Sequence, residues 1–276
     1  MRPPPCALTS STPSPTWASS CGTLVILIYL SLFIYSYFIY LVYHGTDIIT
    51  RRTVVKNNCG TSLQLHSVLS ALVDLPVSSK PHYTFSHLAG AWARERHLVS
   101  EPILGPGTHS IHSRRGASSH QHNPFGIISD GPYSEDEGEH FAFSLVYTGN
   151  FLFDVEMTQV GFVRIALGLE PLLFTWRLAD GDRFVSPEAV LAYSSQGVGE
   201  ISRQLHSLTR TRLVRPSIWR DAPRPILVNS WEAFYMDVSE DKIVERLGIP
   251  AAEVGMDLIV LDDGIFYMVF FLFLFF

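Results

Sequence analysis

Through the middle of the chain, hydrophobic and polar positions alternate with a period of two, the pattern of strands with one buried and one exposed face. Phe141, Phe143, Leu145 and Tyr147 form one such row, and Phe151, Phe153, Val155 and Met157 form the next. Thr148-Gly149-Asn150 between them is a turn sequence, so the two rows are predicted to pair as a hairpin. Leu172, Phe174, Trp176 and Leu178 repeat the alternation before the turn Ala179-Asp180-Gly181-Asp182. Strands this frequent, divided by turn residues, predict a β-sandwich. From about Gly199 to Leu213 the spacing becomes helical, with Ile201, Leu205 and Leu208 on one face.

Beyond Arg220-Asp221-Ala222-Pro223-Arg224-Pro225, a linker held extended by its prolines, the class changes. Ile226-Leu227-Val228-Asn229 and Leu258-Ile259-Val260-Leu261 are continuous apolar runs of the buried-strand type. Between them, Asp237-Val238-Ser239 offers N-caps to a helix carrying Ile243, Val244, Leu247 and Val254, and Gly255 closes it. Pro250, inside that stretch with Gly248, is expected to break the helix. Strand, helix, strand predicts a parallel βαβ unit, the opening of a larger α/β barrel. The fold class is mostly β, then α/β.

Two apolar blocks depart from this pattern. Leu24 to Tyr43 runs 20 residues, interrupted apart from tyrosine hydroxyls by Ser31 and Ser36 alone. As a helix rising about 1.5 Å per residue it would cross a bilayer core of roughly 30 Å. Arg2 before it, with Arg51, Arg52 and Lys56 after it, would leave the bulk of the chain cytoplasmic. Its tyrosines (Tyr29, Tyr35, Tyr37, Tyr40, Tyr43) argue the other way, because a span gathers Tyr at the interfaces. The alternative is translated non-coding sequence, since Phe, Ile, Leu and Tyr codons are rich in A and T. Ile265 to Phe276 holds six phenylalanines in twelve positions, too short to span, and reads as an aberrant tail from intron or mis-joined sequence.

These blocks account for a mean hydropathy of +0.18 in 276 residues of otherwise ordinary composition. With 20 Lys+Arg against 26 Asp+Glu, the net charge of −6 excludes a nucleic-acid binder working through a general basic field. Cys6, Cys21 and Cys59 have neither disulfide-framework nor zinc-module spacing. His109, His112, His120 and His122 have no carboxylate at ligand spacing, so they are read as hydrogen-bonding residues and no metal or cofactor is expected. The chain has no Asn-x-Ser/Thr sequon, and its compartment stays open: membrane if 24–43 spans, otherwise secreted or cytoplasmic.

Four ordered blocks carry a family resemblance. They are Ser86 to His97 (SHLAGAWARERH), Arg114 to Phe125 (RRGASSHQHNPF), Ser144 to Phe151 (SLVYTGNF), and Arg224 to Tyr235 (RPILVNSWEAFY) followed by Val260-Leu261-Asp262-Asp263-Gly264. Together they resemble the family 36 glycoside hydrolases, the α-galactosidases, over about His44 to Gly264. The resemblance implies an N-terminal supersandwich-like β domain at 44–222 with a trailing helix, after a non-family segment at 1–43. It implies the start of a (β/α)8 barrel at 223–264, with 265–276 outside the match because the family continues from Gly264 with Trp rather than Ile265.

The activity so implied is hydrolysis of terminal α-galactose from oligosaccharides of the raffinose and melibiose class, by a retaining mechanism with two carboxylates about 5–5.5 Å apart. In the family both carboxylates come from later strands, so no catalytic residue is carried over and this stretch is expected to be inactive. Three substrate-binding residues are: Asp262 and Asp263, resembling the clamp on the galactose 4- and 6-hydroxyls, and Trp231, resembling a wall of the sugar pocket. Without the resemblance, the first two read as a turn after a strand and the third as a core Trp. Full-length members are expected to be homo-oligomers. The competing expectation is a non-catalytic carbohydrate-binding sandwich tethered to the membrane through 24–43.

Overall fold

The computed structural model describes residues 21–29, 34–215, 217, 218 and 222–263, with 21–29 described by their backbone. The chain divides into two units at Thr209/Arg210. In chain order the strands of the first unit are β1 (Cys21–Tyr29), β2 (Ile34–Tyr43), β3 (Ile48–Asn57), β4 (Leu63–Leu65), β5 (Leu69–Leu75), β6 (Tyr83–Ala91), β7 (Arg94–Ile103), β8 (Gly107–His112), β9 (His122–Asp130), β10 (His140–Val146), β11 (Phe151–Met157), β12 (Val163–Leu169), β13 (Trp176–Leu178), β14 (Arg183–Val185) and β15 (Glu188–Ser194). A large sheet runs β1-β2-β3-β15-β10-β9-β6-β7, with β14 also on β3, and a second sheet runs β5-β12-β11-β8. Their facing rows share one core, Phe85, Ile128 and Phe143 from the large sheet meeting Phe153, Val155 and Ile165 from the small one. The predicted β-sandwich is therefore present.

The predicted hairpin at 141–157 is not. β10 pairs with β9 and β15 in the large sheet, whereas β11 pairs with β8 and β12 in the small one. The connection through Thr148-Gly149-Asn150 crosses between sheets, held by Ser118 N–H to Thr148 O (2.7 Å) and Gly116 N–H to the Asn150 side chain (2.7 Å). A period of two records which face of a strand is buried. It does not record whether the next strand lies beside it or opposite it.

The alternation at 172–178 is likewise only partly a strand. Pro171–Leu173 is a turn of 3₁₀ helix capped by the Glu170 side chain, and β13 begins at Trp176.

The apolar block at 24–43 is a correction to the membrane-helix reading. β1 and β2 pair antiparallel from Cys21↔Tyr43 to Tyr29↔Tyr35, and β2 pairs with β3 from Ile34↔Asn57 to Val42↔Ile49. Among the described residues no helix is long and apolar enough to cross a membrane. β-branched and aromatic residues favour a pleated, half-buried surface over a helix. The scattered rings are used: the Arg51 guanidinium lies 4.2 Å from the Phe38 ring and 5.5 Å from the Tyr40 ring, and donates to Leu72 O at 2.9 Å. The tail at 265–276 lies outside the described residues.

Helix α1 (Val198–Leu208) closes the first unit as the spacing predicted. Ile201 and Leu208 are buried against Ile48, Ala142 and Val190 on the outer face of the large sheet.

One feature of the sandwich makes it sensitive to acid. His87 on β6 and His122 on β9 hold their rings 5.8 Å apart, and the Nδ1 atom of each is buried without a partner. Burial lowers the His87 pKa below the ordinary imidazole value, followed by the neighbouring His122 and more weakly His109, against a raising effect of Glu101 and the Leu88 backbone. Burial likewise lowers that of His122, with His112 and Arg115 adding to it. Protons therefore bind the unfolded chain more readily, and stability is full above the unfolded value, near 6.5, and is lost as pH falls below it. Urea midpoints taken from about pH 7.5 to about pH 5 should fall more steeply for the native chain than for His87→Gln. Equal slopes would show that the pair does not set the acid response.

Candidate functional site

The second unit is built on two short strands, β16 (Leu227–Asn229) and β17 (Leu258–Val260), paired in parallel with Leu227↔Leu258 and Asn229↔Val260 in register. Between them lie α2 (Trp231–Phe234) and a longer helical stretch from Glu240, whose end is α3 (Ile249–Glu253). Pro250 does not break this helix, contrary to expectation. Lys242–Gly248 is wound as a π helix, and the Ile249 N–H reaches the Val244 carbonyl five residues back. Gly248 makes room for that turn, because a Cβ there would lie 3.0 Å from the Ile243 carbonyl oxygen. The predicted βαβ unit is present. Leu227, Leu258 and Ile259 nonetheless remain exposed, as do Ile249 and Val254, so its apolar surface is largely open among the described residues.

At the C-terminal end of the two strands the three predicted residues come together. β16 ends at Asn229 and the chain turns at once into α2, which places Trp231 half-buried at the start of that helix. The Trp231 ring meets that of Tyr235 edge to face at 5.3 Å. β17 delivers Asp262, half-buried, and Asp263, exposed, to the same end.

Two residues that the sequence reading passed over tie these ends together. The Asn229 amide donates to Asp262 Oδ2 at 2.7 Å, and its oxygen accepts the Trp231 N–H at 2.7 Å. Ser230, only 1% exposed, donates its N–H to Val260 O at 3.0 Å, and its Oγ accepts the Asp262 N–H at 3.1 Å. The remaining Asp262 oxygen accepts the Asp263 N–H at 2.8 Å. The hydrogen bond from Asn229, then that from Asp263, holds the Asp262 carboxyl below the usual carboxylate range. It therefore stays ionised, an acceptor with lone pairs left over for hydroxyl donors. No sequence signal marks Asn229 or Ser230, since Asn-Ser at the end of an apolar run reads as a turn until its partners are known.

Of the four histidines, His109 holds Nδ1 3.7 Å from Glu101 Oε2, and the His122 ring stands against that of His87. Glu95 accepts the Ala93 N–H at 2.9 Å and so braces the turn between β6 and β7.

A β-sandwich followed in the chain by a parallel βαβ unit is the order of elements that the family resemblance predicts. Residues 34–179 match the model of the glycosyl hydrolase family 36 N-terminal domain, and residues 183–269 match that of melibiase. The chain belongs to glycosyl hydrolase family 36. It is 45% identical over 227 residues to the alpha-galactosidase AgaA of Geobacillus stearothermophilus, a match covering 82% of this chain and 30% of that protein. It is 38% identical over 228 residues to a probable alpha-galactosidase G of Aspergillus terreus, covering 83% of this chain and 31% of that protein. The crystal structure of a variant of the Geobacillus enzyme with 1-deoxygalactonojirimycin superposes with a TM-score of 0.84 at 42% identity, over 90% of this chain and 34% of that one. The chain thus spans about 30% of the length of the curated relatives it matches.

Proposed function

We propose that this chain carries the galactose-recognition end of an α-galactosidase site, and that it binds terminal α-galactosyl groups without hydrolysing them. Asp262 and Asp263 accept hydrogen bonds from the sugar hydroxyls, the axial 4-hydroxyl and the 6-hydroxyl among them. Trp231 offers its ring to the apolar C–H face. The observation that carries this reading is the parallel register of β16 and β17, which brings Trp231, Asp262 and Asp263 to one end of one small sheet. Solved structures of variants of the Geobacillus enzyme in complex with raffinose and with stachyose support the class of ligand. In a whole enzyme, two further carboxylates flanking the glycosidic bond would perform the retaining displacement.

Calorimetric titration of the full chain with galactose and with glucose tests the reading. Galactose should bind more tightly than glucose, and Asp262→Asn should weaken galactose about tenfold through loss of a charge-assisted hydrogen bond. Because the Asp262 carboxyl is held below its ordinary range, binding should persist into mildly acidic solution. Equal binding of the two sugars, or an indifferent Asp262→Asn, would defeat it.

A further inference from the structure

We infer that Asn229 is the positioning residue of this site: one side-chain amide holds the Asp262 carboxylate and the Trp231 backbone at the same time. For its functional meaning the inference rests on the galactose reading above. Its geometry stands independently of that reading.

Chemistry sets which way the amide points. An ionised carboxylate can only accept, so the Asn229 NH₂ must face Asp262, and its oxygen then meets the Trp231 N–H. That N–H belongs to the first turn of α2, where no intrahelical acceptor exists. Asn229 therefore fixes where the helix starts, and with it where the indole stands. On the other strand, Asp262 is pinned through both oxygens, one by Asn229 and one by the Asp263 N–H, so its carboxylate plane is set before any ligand arrives. Ser230 completes the bracket by accepting the Asp262 N–H. A hydroxyl entering the site meets an acceptor whose rotamer is already chosen, which lowers the ordering cost of binding.

Other side chains fail for separable reasons. Alanine removes both hydrogen bonds. Aspartate keeps the acceptor for Trp231 but sets a second carboxylate against Asp262. Glutamine adds a methylene to a contact made at 2.7 Å on both sides.

Side-chain carboxyl NMR titration of the full chain, native and with Asn229→Ala or Asn229→Asp, tests this directly. Asp262 should titrate at higher pH in Asn229→Ala, and higher still in Asn229→Asp, while the Trp231 amide loses protection from exchange only in the alanine variant. Galactose affinity should fall about tenfold in Asn229→Ala although Asp262 and Trp231 are intact. If Asn229→Ala loses the βαβ unit, Asn229→Asp, which keeps the cap and the size of the side chain, gives the deciding titration. An Asp262 midpoint unmoved in the folded variant overturns the positioning role, whatever galactose does. A midpoint that moves in a protein blind to galactose upholds the positioning role and removes the galactose reading alone.

Discussion

Phe153→Ala should cost the sandwich about 3–5 kcal/mol. Phe153 is 0% exposed on the inner face of β11, in the small sheet. Its ring meets Phe85 at 5.5 Å and Phe143 at 6.2 Å, both edge to face and both from the opposite sheet. Gly126 opens the niche it enters, since a Cβ there would fall 2.5 Å from Phe153 Cε1. A site walled by aromatic rings and backbone collapses poorly, so most of the cavity would remain. Urea unfolding should show the full loss for Phe153→Ala, but within about 0.5 kcal/mol of no change for Leu172→Ala, which is 68% exposed. A Phe143/Phe153 double-mutant cycle should return a coupling of about 0.5–1.5 kcal/mol, as expected for rings that touch across the core. No coupling would contradict the crossing of β10 and β11 between sheets.

The largest expected effect concerns turnover. Enzymes accelerate their reactions by about 10⁶-fold or more, and in a retaining glycosidase that acceleration depends on a nucleophile and an acid on either side of one bond. The family resemblance assigns neither carboxylate to this chain. Asp262 and Asp263 are consecutive at the end of one strand, and in the proposed reading they hold sugar hydroxyls in the ground state and transition state alike. Binding of that uniform kind does not lower the barrier to the chemical step. Incubated with an aryl α-galactoside, the full chain should release aryl alcohol no faster than buffer. Release above background that disappears in Asp262→Asn would mean that this unit performs chemistry the account denies it.

Alternation made the sandwich legible, because one buried face per strand is all that two packed sheets require. The pairing of those strands was not legible. Phe143 and Phe153 bury the same way whether their strands are neighbours or opposites. Nor was the nature of 24–43: twenty residues, apolar but for Ser31 and Ser36, meet the length criterion for a membrane helix, and only the weight of Ile, Val, Tyr and Phe favours strands. Pro250 misled because its usual clash is with a carbonyl four residues back, and the π turn before it changes that spacing. At the site, Trp231, Asp262 and Asp263 could be found as chemistry at strand ends. Asn229 could not, since an Asn after an apolar run reads as a turn residue until its partners are known.

In the proposed reading, galactose is held at the shared end of β16 and β17. A residue-resolved NMR titration of the full chain with galactose tests it most directly. Shifts should gather at the Trp231 indole, the Asn229 side-chain amide and the Asp262 and Asp263 amides, leave β6 to β12 undisturbed, and need about tenfold more galactose to saturate in Asp262→Asn. Shifts that gather on the sandwich instead, or that saturate at the same galactose concentration in Asp262→Asn, would contradict it.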